Sequence, residues 1–469
     1  MILGFSEGFH DAAVAIVDYK GNIEFAAHSE RSSGIKHDKR ISQKLYDQIA
    51  PRLDIERCAF YENPLLKRTR QLFAGQYKTA LSPRNLTFHP DKCYSHHLSH
   101  AAAAFQTSNY REAACVVVDS IGEWDTVSVW SAHYDRDGFA QYKKVWSRKY
   151  PFSVGLWYSA LTKYVGLKPL DEEYIFMGMA PFGKFNHLMH EALFRQLHDE
   201  NNHRGIRSRM SEDFTDEEIA YNAQVILEEH LMGIFAIARE YSDNICYGGG
   251  VALNCVANGK LMDFHKNLWV MPNPGDAGAA LGAAALQYGK KLNWVSPYLG
   301  ENIDRPIDPT VVASYIIEHG ICGVANGRAE FGPRALGNRS LLANPMGADM
   351  KDRVNEIKQR QKFRPFAPAI LSEHAQNYFD GNLTRYMSTT ARCKFPEQFP
   401  AIVHIDGTSR VQVVHPDDPT PLRGILEAFY ARTGCPMLLN TSLNVRGKPM
   451  VDTWDDAMEF EKLYGVKVF

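Results

Sequence analysis

Two histidines four residues apart, His96 and His100 in the run HHLSHAAAAF, project from the same face of a helix, one turn above the other. Imidazoles so placed suit a metal ion, although histidines at this spacing are also satisfied by ordinary hydrogen bonds. Two of them do not fill a coordination sphere, so partners must come from elsewhere in the chain. His97 points another way. Asp119 ends the apolar run AACVVVD and begins a turn, the place where open α/β sheets present functional carboxylates. Asp276 follows NPG and precedes an Ala/Gly helix, where an N-cap role worth about 1 kcal/mol would also explain it. Together His96, His100, Asp119 and Asp276 make a mixed imidazole and carboxylate set, better suited to iron, manganese or zinc than to calcium. His10, beside Asp11 in the first turn, has the chemistry of a general base toward an alcohol, or simply hydrogen-bonds its own turn.

Other groups suit an anionic ligand. Gly248, Gly249 and Gly250 lie between a strand and a helix, where a bare backbone either admits a phosphate or makes a tight turn, and Asn254 is placed to add a side-chain contact. The run matches neither the Walker spacing nor the full dinucleotide fingerprint. In the second half, GRAEFGPRALGNRSLLANP carries Arg328, Arg334 and Arg339 with Glu330, and NEIKQRQKFRPFAPAIL carries Lys358, Arg360, Lys362 and Arg364. A solvated helix face is the usual meaning of a charge run. These arginines, however, sit among Phe, Pro, Gly and Leu, where unpaired charge is expensive to bury, so anionic partners such as phosphates are implied. In NTSLNVRGKPMV, the polar side chains of Asn440, Ser442 and Asn444 could hydrogen-bond a nucleotide or a carbamoyl group, or merely build a turn.

The elements that must hold these groups read as α/β. Ile2 to Phe5 is a short apolar strand, AAVAIVD a second, and IEFAAHS follows a KGN turn; AACVVVD, the turn SIGEWD and TVSVWSAHY repeat the pattern. Such a repeat fits two similar lobes with polar turns meeting at a cleft. A capped amphipathic helix is expected from near Thr215. Pro, Gly and Asn content rises near residue 300, which places a boundary between a domain over 1–300 and another over 301–469. The 469 residues are 45% hydrophobic and 23% charged with a formal net charge of −2, so nothing global points to nucleic acid or a membrane. Eight cysteines without a Cys-x-x-Cys pair argue for reduced thiols and a cytoplasmic setting, and exclude zinc ribbons. The opening residues read as a strand, with no export leader expected.

In order, GFHDAAVAIVD with SERSSGIKHD, HHLSHAAAAF, VVVDSIGEWDT, MGMAPFGK, GGGVALN, NPGDAGAALGAA, FGPRALGNRSLLANP, QRQKFRPFAPAIL and NTSLNVRGKPMV resemble the O-carbamoyltransferase family of nodulation and antibiotic-tailoring enzymes, over nearly the whole chain. The resemblance implies an actin-like, duplicated ribonuclease-H-type domain, followed by a smaller α/β domain resembling the threonylcarbamoyl-adenylate synthase fold. It implies two stages: carbamoyl phosphate and ATP give carbamoyl-adenylate in the second domain, and a hydroxyl takes the carbamoyl group in the first.

Carried over residue by residue, the family's metal ligands fall on His96, His100, Asp119 and Asp276, and its first-turn histidine on His10. Its adenylate-binding run falls on Gly248, Gly249, Gly250 and Asn254. Its Lys-x-Arg element falls on Lys358 and Arg360, its Ser-x-Asn element on Ser442 and Asn444, and its arginine-rich loop on Arg334 and Arg339. The implied cofactor is a divalent metal, iron(II) first and manganese or zinc as alternatives, with magnesium beside ATP. The chain departs from the pattern at Ile175, where many relatives have lysine, and at Lys448, where they commonly have an acid. The implied acceptor is a sugar, natural-product or nucleotide hydroxyl. Threonylcarbamoyl transfer to tRNA, a kinase or ATPase of the same lobe architecture, and a nucleotide-binding regulator are the alternatives.

Overall fold

The computed structural model describes residues 1–52, 54–83, 85–206, 214–347 and 349–469, which form two compact units. The first holds residues 1–24 and 52–295, the second 25–51 and 296–469. The crossing at 295–296 lies beside the compositional boundary near 300, while residues 25–51, grouped by that reading with the first domain, pack in the second unit.

Ten strands supply two sheets of identical plan. The first sheet contains β1 (Ile2–Ser6), β2 (Ala13–Val17), β3 (Ile23–His28), β4 (Arg57–Phe60) and β5 (Lys92–Cys93), in the order β3-β2-β1-β4-β5. The second contains β6 (Glu112–Val118), β7 (Asp125–Tyr134), β8 (Ala140–Lys149), β9 (Ile245–Gly248) and β10 (Leu268–Val270), in the order β10-β9-β6-β7-β8. Read from its own first strand, each sheet runs third, second, first, fourth, fifth. In each, the opening hairpin is antiparallel and the last two strands join in parallel. Periodicity indicates a repeated hairpin; the strand order shows a duplicated α/β unit.

Small residues fix how the first unit's helices pack. In the helices His96–Gln106 and Asp276–Tyr288, an alanine run and an Ala/Gly run are buried. A Cβ on Gly282 would lie 1.8 Å from the Ser99 carbonyl oxygen, and one on Gly4 2.1 Å from that of Ala280, so both positions exclude any side chain. The helix Asp216–Arg239 opens with the expected capping box between Thr215 and Glu218 and buries an apolar stripe of Ile219, Ile226, Leu227 and Leu231.

The second unit has its own core and a five-stranded sheet in the order Ile321–Ala325, Arg339–Ala343, Met437–Ser442, Ala367–Leu371, Gln412–Val414. Adjacent strands are antiparallel except the last pair.

Replacing Gly282 by alanine should therefore drive the two small-residue helices apart and destabilise the protein by about 1–3 kcal/mol, the usual range for overpacking. Urea unfolding measures this; a change within about 0.5 kcal/mol, as for an ordinary surface substitution, would contradict the packing argument.

Candidate metal centre and anion site

The helix His96–Gln106 buries both His96 and His100, and their Nε2 atoms converge to 3.1 Å. Asp119, at the end of β6, brings Oδ2 to 2.9 Å from His96 Nε2 and 3.3 Å from His100 Nε2. Asp276 brings Oδ1 to 3.4 Å from each. It is the first residue of its helix; Gly275 holds the N-cap position, so the carboxylate faces the imidazoles rather than capping its own helix. One ligand atom from each of the four lies within 4.8 Å of the others. Donors bonded to one ion at about 2.1 Å stand about 3.0 Å apart in octahedral and about 3.4 Å apart in tetrahedral arrangement, and the histidine–histidine and histidine–aspartate spacings here are of that size, so the four could hold one metal ion.

The same proximity dominates the electrostatics. Burial opposes charge on Asp119, yet hydrogen bonds from His100 and His96 outweigh it and hold the carboxyl well below the usual carboxylate range. Asp276 is lowered against burial by the charges of His96 and His10. Burial would depress His96, but Asp276 and Asp119 raise it well above the ordinary imidazole value, and His100 is raised likewise.

Backbone groups orient the candidate ligands. Asp119 Oδ1 accepts hydrogen bonds from the Ser120 N–H (2.7 Å) and the Gly250 N–H (3.3 Å), turning Oδ2 to the histidines. The three glycines pack against these same elements: a Cβ would lie 2.2 Å from Val118 O at Gly249, 3.2 Å from His100 O at Gly248 and 3.1 Å from Asp119 Oδ1 at Gly250. Gly249 also has φ +90° and donates its N–H to Pro274 O in the NPGD loop. Close approach thus accounts for the glycine run. Asn254 caps the helix Cys255–Phe264 by accepting from the Ala257 N–H at 3.0 Å, and exchanges two amide hydrogen bonds with Gln224.

His10 lies against the cluster, its Nε2 3.8 Å from Asp276 Oδ2 and its Nδ1 donating to Asp11 Oδ2 at 2.8 Å. Burial would depress it, but Asp276 and Asp11 raise it above the ordinary value. His97 is turned away: its Nδ1 shares a hydrogen bond with Ser128 Oγ, which also accepts from Trp130 Nε1, both at 2.8 Å. Burial, then the neighbouring His96, holds His97 well below the usual imidazole range. Sequence reasoning missed Glu123, whose buried Oε1 accepts the N–H groups of His96 (2.9 Å) and Asn63 (2.7 Å), while Ser95 makes no side-chain cap. The only sequence signal is an acid in the turn after Asp119.

The second unit gathers its polar residues differently. Lys358 ends the helix Met350–Lys358, and its ammonium donates to the Ser442 carbonyl and hydroxyl (2.5 and 3.0 Å) and to Asn444 Oδ1 (2.6 Å). Burial, then Arg360 and Arg364, pushes Lys358 well below the usual lysine range. The Arg360 guanidinium stacks 3.8 Å over the Phe366 ring and donates to Asn355 Oδ1 at 2.8 Å. Arg334 is half-buried. Arg339 stands apart from a ligand role: it is fully buried and donates to the carbonyls of Glu301, Asn326, Gly327, Asn338 and Asp452, tying strands together. Asn440 is likewise engaged, donating to Ala335 O and Gln412 Oε1.

A duplicated α/β unit with a buried imidazole and carboxylate cluster is joined in one chain to a second α/β unit with a buried lysine among polar oxygens, a two-unit α/β protein with a candidate site in each. The family models agree: Carbamoyltransferase N-terminus matches residues 81–285 and Carbamoyltransferase C-terminus residues 313–468. The chain belongs to the carbamoyltransferase family and is a carbamoyltransferase. It is 32% identical to the uncharacterized protein sll1178 of Synechocystis, over 97% of this chain and 93% of that one. It is 30% identical to the nodulation protein NolNO of Sinorhizobium fredii, over 96% of this chain and 76% of that one. Among solved structures, (R)-2-hydroxyglutaryl-CoA dehydratase component A of Acidaminococcus fermentans is similar over 61% of this chain and 97% of its own, at 13% identity and a TM-score of 0.36.

If the four side chains hold one ion, His96→Ala and Asp276→Asn should each weaken divalent-metal binding by more than about 100-fold, beyond the 10–100-fold typical of residues behind the ligands. His97→Gln should keep its metal. Metal content after gel filtration measures both; full occupancy in the first two variants would exclude the site.

Proposed function

We propose that the chain carries out ATP-dependent O-carbamoyl transfer in two stages, to a hydroxyl of a small-molecule, sugar or nucleotide acceptor. The supporting observation is the convergence of His96, His100, Asp119 and Asp276 within 4.8 Å, beside His10, in a chain of this family.

The second unit is the assigned place of adenylate formation. Water splits carbamoyl phosphate to carbamate and phosphate. A carbamate oxygen then attacks the α-phosphorus of ATP and the bond to pyrophosphate breaks, leaving carbamoyl-adenylate. Arg334, Arg360 and Lys358 oppose the phosphate charge, with magnesium beside ATP. Ser442 and Asn444, which hold Lys358, also offer donors and acceptors to the carbamoyl amide.

The first unit is assigned the transfer. The acceptor oxygen attacks the carbamoyl carbon, the bond to AMP breaks, and AMP departs with the bonding pair. His10, oriented by Asp11 at Nδ1, takes the hydroxyl proton at Nε2. An ion held by His96, His100, Asp119 and Asp276 supplies Lewis acidity toward the carbonyl or the adenylate phosphate; iron(II) leads, with manganese and zinc as alternatives. Gly248 and Gly249 let their turn pack against His100 and Val118, and Gly250 leaves no side chain against Asp119, so the turn's backbone is open to the adenylate. Asn254 sets the start of the next helix at the same turn.

Incubating the protein with ATP, carbamoyl phosphate and a divalent metal should release pyrophosphate. Lys358→Ala should abolish this release, and His100→Ala should retain it while abolishing transfer. No pyrophosphate under any metal would sink the adenylate reading.

Lys358 gives a second check. Its folded-state value lies well below the unfolded 10.5, so the free protein loses this proton as pH rises through the lower value. Bound phosphate charge moves the value back up, so ATP binding should take up a proton in that window. Calorimetry in buffers of different ionisation enthalpy, comparing the wild type with Lys358→Met, measures it; the same proton balance in both proteins would contradict the placement.

A further inference from the structure

The helix Pro64–Phe73 is inside out. Its buried residues are Lys67, Arg70 and Gln71, whereas Leu65, Leu66, Leu72 and Phe73 face solvent. The short helix Tyr77–Leu81 continues the face, so that Leu65, Phe73, Tyr77 and Leu81 are 69, 73, 62 and 75% exposed. A surface helix ordinarily buries its apolar stripe, and this concentration of large apolar side chains within one hairpin marks a face that something covers. Trp124 and Tyr150 extend it, with ring centroids 5.5 and 6.1 Å from Phe73.

Charge selects the occupant. Residues 63–90 contain no Asp or Glu but carry Lys or Arg at 67, 68, 70, 78 and 84. Arg68 and Lys78 are exposed among the apolar side chains. The nearby acids Glu62 and Asp125 are each paired with a lysine, Lys67 at 2.6 Å and Lys144 at 2.6 Å. Two copies meeting through this face would bring like charges together. An acidic bilayer surface accepts separate apolar side chains, aromatic rings at headgroup depth and flanking cations.

We propose that this hairpin docks the protein on anionic lipid membranes as a peripheral, non-spanning contact. The inner side of the helix rests on the metal-centre scaffold: Arg70 Nε donates to Glu123 O at 3.1 Å, and Glu123 caps the helix of His96 and His100. Docking therefore bears on the segment that Glu123 ties to the His96 helix. Net charge and overall composition hide this signal, because it is confined to one stretch.

The test is flotation of the full-length protein with phosphatidylglycerol-containing vesicles and with pure phosphatidylcholine vesicles. The wild type should float with the anionic vesicles only, and less as salt rises. The pairs Phe73→Ser with Leu81→Ser, and Arg68→Glu with Lys78→Glu, should each reduce the bound fraction about tenfold or more, with thermal unfolding midpoints unchanged. No flotation of the wild type would overturn the proposal, as would flotation undiminished in both variants. A dimer in sedimentation velocity that dissociates on Phe73→Ser with Leu81→Ser would show instead that a second copy covers the face.

Discussion

Charge balance in a buried space is the constraint on which the first unit depends. Two carboxylates placed together away from water repel one another and lose hydration, and neither term is tolerable unless positive charge is supplied. Here two imidazoles supply donors from one face of a helix, with His96 2.9 Å and His100 3.3 Å from Asp119 Oδ2. A divalent cation would satisfy the same four groups more completely, because all four could then act as ligands to one centre. His10 stands beside Asp276, so the group assigned the proton transfer shares this balance.

Holding four donors within 4.8 Å requires their elements to approach closely, and the sequence provides for that with missing side chains. Gly282 admits the Ser99 carbonyl, Gly249 admits that of Val118, and Gly122 would bring a Cβ within 2.6 Å of the His97 ring. Glycines that look like a ligand cradle are thus also what lets the ligand-bearing turns meet. Glu123 adds the remaining link by bonding the first N–H of the histidine helix to the segment that begins the Pro64–Phe73 helix.

What was legible in the sequence was whatever had a local signature. Apolar runs bounded by turns located β1, β2, β3, β6 and β7, and the capping pair Thr215 and Glu218 located the start of a long helix. The i,i+4 spacing of His96 and His100, the strand-end position of Asp119 and the loop position of Asp276 suggested a shared site, and the family resemblance assigned it residue by residue. Features built by long-range packing were not legible. The strand β8, AQYKKVWSRK, is half-exposed and polar and carries no strong alternation. Residues 25–51 pack in the second unit through contacts with residues far along the chain, such as Arg31 with Gly332. Arginine density suggested anion binding at both Arg334 and Arg339, but only burial separates them: Arg339 donates to five backbone carbonyls, a role that no residue pattern distinguishes from ligand contact.

Whether His96, His100, Asp119 and Asp276 ligate one ion is decided by a crystal grown with manganese and measured on both sides of its absorption edge. One anomalous peak is expected about 2.0–2.2 Å from both histidine Nε2 atoms and from a carboxylate oxygen of each aspartate, as ordinary bond lengths require. No peak there at saturating metal, with the four side chains still hydrogen-bonded to one another, would contradict shared ligation.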